Sequence, residues 1–133
     1  MDEMDADRRD EIYVLETERI IGCAFTVLNQ VGHGFYEKVY ENSLVVEFVH
    51  QEISCIQQPR FPVSYRETKV GEFIPDLIAF EKVIVDAKTI PRITDHEIGQ
   101  MLNYLRVTGL RVGLILNFKY AKLEFRRVTL SSI

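Results

Sequence analysis

No stretch of this sequence approaches the roughly 20 consecutive apolar residues that a bilayer-crossing helix needs, so a membrane span is not expected. The opening residues, MDEMDADRRD, are acidic and lack an apolar core, so a secretory signal is not expected. Only two cysteines occur, Cys23 and Cys55, and neither belongs to a CxxC pair. That argues against a zinc site and for free thiols in a cytoplasmic chain. There is no internal repeat and no low-complexity linker.

What is present fits one folded domain. The chain has 133 residues, 47% hydrophobic and 27% charged, enough for a single core. Its net charge of −4 is unevenly spread. Residues 1–18 hold eight acids and two arginines, a local −6, which leaves +2 for the rest. From Thr89 onward seven basic residues stand against three acids, so this third of the chain can face phosphates. Residues 1–16 are expected to form an acidic tail and residues 17–133 the domain. The plain alternative for all these charges is a solvated surface.

Apolar residues at helical spacing predict one helix over 17–30 and a second over 36–50, separated by the GHG at 32–34. From Ser54 to Thr89 the pattern is extended, with PVSYRETKVGEF read as strand, turn, strand. Helix signals return at Thr94, where Glu97 three residues on completes a capping box and Gly109 suits the stop. VGLILNF (112–118) reads as a strand covered on both faces, and LEFRRVTL (123–130) as an edge strand. The order α-α-β-β-β-α-β-β predicts an α/β fold with a mixed central sheet flanked by helices.

Within the extended region, PDLIAFEKVIVDAK (75–88) sets Asp76, Asp86 and Lys88 into an otherwise buried strand pair. Buried charge is costly unless paired or bound. Asp86 and Lys88 are two apart and share a face. A two-residue turn at Glu81-Lys82 would put Asp76 opposite Ala87, on the wrong face. Convergence therefore needs an odd turn or a bulge, which is predicted between Gly71 and Val83. Two converging carboxylates make a site for Mg²⁺ or Mn²⁺, and a neighbouring lysine orients water or offsets phosphate charge. The plainer reading is an Asp–Lys pair on a surface hairpin, but Val83, Ile84 and Val85 leave little room for a solvated face.

Pro75-Asp76 followed by Asp86-Ala87-Lys88 resembles the PD-(D/E)XK nuclease superfamily. GFYEKVY (Gly34, Glu37, Tyr40) resembles the GxxExxY signature of a small-protein branch, and QMLNY (Gln100 to Tyr104) the QxxxY motif of RecB-type nucleases. The likeness covers residues 17–130. It implies a single-domain restriction-endonuclease-like fold and metal-dependent hydrolysis of phosphodiester bonds in nucleic acid, with DNA the first expectation. Asp86 stands where many relatives carry glutamate, one methylene longer.

On this resemblance Glu37, Asp76 and Asp86 would bind Mg²⁺ or Mn²⁺, Lys88 would position the water, and Gln100 and Tyr104 would assist from one helix face. Arg92, Arg106 and Lys119 are candidates for phosphate contact. No base-reading motif is present, so little sequence specificity is expected. Tyr40 is expected in the core with its hydroxyl bonded, and His33 and His96 carry no role. A second reading is a catalytically inactive module of the same fold that binds nucleic acid or protein. A third is an assembly protein, a homodimer paired through the strand over 123–130.

Overall fold

Apolar residues every three to four positions drive two helices onto one face of a sheet. The computed structural model describes residues 12–130. Helix α1 is Val14–Val31 and helix α2 is Glu37–His50. The first eleven residues of the expected tail lie outside the described residues. Helix α1 starts three residues before the predicted Thr17. Thr17 is no cap: its hydroxyl donates to the Val14 carbonyl at 3.0 Å, and Ile12 and Tyr13 already pack on the core.

Five strands, not three, lie between Ser54 and Thr89: β1 (Cys55–Gln57), β2 (Phe61–Tyr65), β3 (Thr68–Phe73), β4 (Leu77–Ala79) and β5 (Val83–Lys88). Two features cut the extended run. Gln58 adopts a left-handed backbone (φ 53°) just before Pro59, and buried Pro75, which has no N–H to donate, parts β3 from β4. Helix α3 (Asp95–Thr108) and strands β6 (Val112–Asn117) and β7 (Glu124–Thr129) complete the chain.

The main sheet has the order β1-β4-β5-β6-β7, and β2 and β3 form a separate hairpin. Only β5 and β6 run parallel, with α3 as their crossover. As expected, β6 is buried along its whole length and β7 lies at an edge. Helix α3 has the expected capping box at Thr94 and Glu97, and Gly109 closes it at φ 76°. This α/β architecture is consistent with a restriction-endonuclease-like fold. Among the described residues no helix is long and apolar enough to cross a membrane.

The sheet has two buried faces. Leu77, Ala79, Val83, Val85 and Ala87 pack against α1 and α2. Ile78, Ile84 and Ile115 pack against Met101 and Leu105 of α3. Each fully buried aliphatic side chain contributes about 1.5–3 kcal/mol, so every β5 position is committed to one face or the other. Parity with Ile84 assigns Asp86 and Lys88 to the α3 face.

The turn between β4 and β5 settles the register. Ala79 pairs with Val83, leaving a loop of Phe80, Glu81 and Lys82. The count is odd, as convergence requires. Phe80 and Glu81 both have positive φ (58° and 61°), and the Lys82 N–H donates to the Ala79 carbonyl at 3.0 Å.

Candidate metal and phosphodiester site

Extending the Leu77–Val85 pairing by one step brings Asp76 opposite Asp86. Asp76 is held at both ends. Its Oδ2 accepts the Ala87 N–H at 2.9 Å, and its carbonyl accepts the Gln58 N–H at 2.9 Å. Oδ1 takes no hydrogen bond among the described residues. Asp86 is only 7% exposed.

Electrostatics record the convergence. Burial, and then the charge of Asp86, push the Asp76 carboxyl up to about 7, with the Ala87 N–H opposing. Burial also raises Asp86, against the nearby Lys88 charge, and Glu37 and Glu41 add to the rise. Lys88 itself makes no ion pair among the described residues. Tyr104 faces the same group from α3. Burial first, and then Asp86, raise its hydroxyl, and its ring stacks on Phe73 at 3.6 Å between centroids. Gln100, one turn earlier, is half-buried and makes no hydrogen bond among the described residues.

Glu37 reaches this neighbourhood from the first turn of α2, where its Oε2 accepts the Thr89 N–H at 3.3 Å. Its helix is positioned by the rest of its motif. Gly34 has φ 87°, and its N–H donates to the Phe118 carbonyl at 3.0 Å. The Tyr40 ring stacks on Phe118 at 4.4 Å, while its hydroxyl donates to the Gly32 carbonyl at 2.7 Å and accepts the Phe35 N–H at 3.0 Å. Tyr40 is thus the hydrogen-bonded core residue expected of it.

Glu41 was missed as a candidate. It is 4% exposed, against an exposed Glu37. Its Oε2 accepts from Lys38 at 3.0 Å, Gln57 at 2.6 Å and Gln58 at 3.3 Å. The available signal was position, since Glu41 sits between two core residues of α2, Tyr40 and Leu44.

Among the described residues, no three His, Cys, Asp or Glu side chains are already gathered as a ligating group. The facing pair Asp76 and Asp86 does fit a divalent cation. Its donors are all oxygen, and their mutual repulsion is what such an ion relieves.

The basic candidates divide. Arg92 and Lys119 lie in loops that follow β5 and β6, beyond the carboxyl ends of the parallel pair, where α/β sheets place ligands. Arg106 is in the last turn of α3, bonded to Asn103 Oδ1 at 2.9 Å, and lines a separate cleft with Glu72, Phe73 and Tyr104.

A family model described as the PD-(D/E)XK nuclease superfamily matches residues 15–128. Neither the search of curated proteins nor that of solved structures returned a match.

Proposed function

The chain belongs to the PD-(D/E)XK nuclease superfamily, and from that premise we propose that it is a divalent-metal-dependent nuclease acting on nucleic acid, DNA first, with little sequence specificity. The observation that carries this reading is the register opposing Asp76 to Asp86, with Lys88 two residues on along the same face.

Asp76 and Asp86 would hold Mg²⁺ or Mn²⁺, which supplies an activated water and offsets charge gathering on phosphorus. The chain's own residues do the rest. The Ala87 N–H fixes one oxygen of Asp76 and leaves the other for ligation. Lys88 positions the attacking water. Glu37 supports the site from α2, and Gln100 and Tyr104 support it from α3. Arg92, Arg106 and Lys119 meet the phosphate backbone.

The test is a panel of labelled DNA and RNA, single and double stranded, incubated with Mn²⁺, with Mg²⁺ and with chelator. Cleavage is expected with metal only. Lys88→Ala should lower the rate about 100-fold or more while the fold persists. Cleavage by that variant at the parent rate would remove Lys88 from the mechanism.

That no three-ligand group is gathered among the described residues favours a second reading, a catalytically idle module that binds nucleic acid or protein. Calorimetric titration with Mn²⁺ separates the two. A nuclease takes up the ion and loses that uptake in Asp86→Ala, whereas an idle module shows no uptake.

A further inference from the structure

A cleft of about 500 Å³ opens between the loop after β5 and the segment joining β6 to β7. Its lining includes Arg92, Lys122, Tyr120 and Phe125. Tyr120 is 52% exposed, whereas Phe125, 40% exposed, packs edge-on against Phe25 at 6.3 Å between centroids, which leaves Tyr120 the ring open to a ligand.

The walls are fixed. Asn117, 2% exposed, accepts the Ile90 N–H at 3.1 Å and donates to the Ile90 carbonyl at 2.8 Å. Glu124 Oε1 accepts from Asn117 at 2.9 Å and from the Ile93 N–H at 3.0 Å. The only acid lining the cleft among the described residues, Glu124, is therefore turned inward by hydrogen bonds, and the segment carrying Arg92 is tied to the one carrying Tyr120. The Phe118 N–H donates to the Lys88 carbonyl at 2.8 Å, which joins this wall to the strand end bearing the candidate site.

We propose that this cleft binds single-stranded nucleic acid, with one nucleobase stacked on Tyr120 and the flanking phosphates on Arg92 and Lys122. An exposed ring lining one cleft with two cations is what a sequence-tolerant single-strand site needs. The inference rests on the nuclease reading for its ligand class and assigns the strandedness that reading leaves open.

Fluorescence anisotropy in chelator tests it without cleavage, using labelled oligothymidylate, oligouridylate, an abasic deoxyribose-phosphate strand of equal length and a blunt duplex. Tyr120→Ala should weaken both base-bearing single strands about tenfold, leave the abasic strand and the duplex unchanged, and be rescued by Tyr120→Phe. Arg92→Ala and Lys122→Ala should weaken all four and each flatten the single-strand salt dependence by about 0.7 in log–log slope. Parent-like binding by Tyr120→Ala would overturn the proposal, as would parent affinity equal for abasic and base-bearing strands. Absence of binding by the parent would also overturn it. Cleavage in the metal panel is read separately. Intact cleavage with binding indifferent to Tyr120 removes the cleft and keeps the nuclease, and the reverse pattern removes the nuclease and keeps the cleft.

Discussion

Asp76 carries the sharpest consequence at the scale of single residues. Its carboxyl is raised from 3.8 to about 7 on folding, so the folded chain holds this proton more tightly than the unfolded chain does. Its contribution to stability is full below about 4 and is lost as pH rises through about 7. The loss is of the order of a few kcal/mol, since each pKa unit is worth about 1.4 kcal/mol. In chelator, the denaturant midpoint should fall between pH 5 and pH 8. Asp76→Asn should flatten most of that fall and be the more stable protein at pH 8. Mn²⁺ should restore the parent at pH 8 and leave the variant unmoved. A parent midpoint indifferent to pH would mean that the Asp76 carboxyl is not buried beside Asp86.

Tyr40 supplies a second residue-scale outcome. Tyr40→Phe keeps the stack on Phe118 but leaves the Gly32 carbonyl and the Phe35 N–H without their partner. About 1–3 kcal/mol of stability should go, measured by urea unfolding. Cleavage should fall less than in Lys88→Ala, because the motif's glycine and tyrosine position α2 rather than touch substrate. These residues also mark what the sequence could say. That Asp86 and Lys88 share a face was legible because alternation in a strand is strict. Glu41 was not, because helical position alone does not reveal which of two acids one turn apart faces inward.

At the scale of elements, α3 and β6 meet more closely than a run of apolar letters suggests. A Cβ added at Gly113 would lie 2.3 Å from the Met101 sulfur, inside the fully buried contact between helix and strand. Gly113→Ala should therefore destabilise by about 1–3 kcal/mol, read as a lowered urea midpoint with an unchanged slope. Met101→Ala combined with it should cost less than the sum of the two single losses, and an unaltered midpoint in the single variant would refute the close packing. VGLILNF showed that the strand is buried but not that its glycine is a space requirement. The β4–β5 turn was ambiguous for a related reason. Two positive-φ residues usually announce themselves as Asn-Gly, and here they are Phe80 and Glu81. Only the chemical demand that Asp76 meet Asp86 selected the odd loop.

At the scale of the whole molecule, charge and topology point the same way. The loops that follow the parallel strands β5 and β6 carry Arg92 and Lys119, and the acidic pair near the end of β5 repels phosphate unless a cation intervenes. The acidic first segment opposes this, since six of the chain's acids lie within residues 1–11. Charge of that sign on the same chain lowers the local concentration of a polyanion over about one Debye length, roughly 8 Å at 0.15 M salt. Replacing Asp2, Glu3, Asp5, Asp7, Asp10 and Glu11 by their amides in the full chain should raise affinity for single-stranded oligonucleotide several-fold at low salt. The gain should fade as salt rises toward 0.5 M, where the Debye length falls below the separation of surface charges. A gain that persists at high salt would mean that those residues act by occupying the cleft rather than through their field, and no gain at any salt would mean that they stay clear of the bound strand.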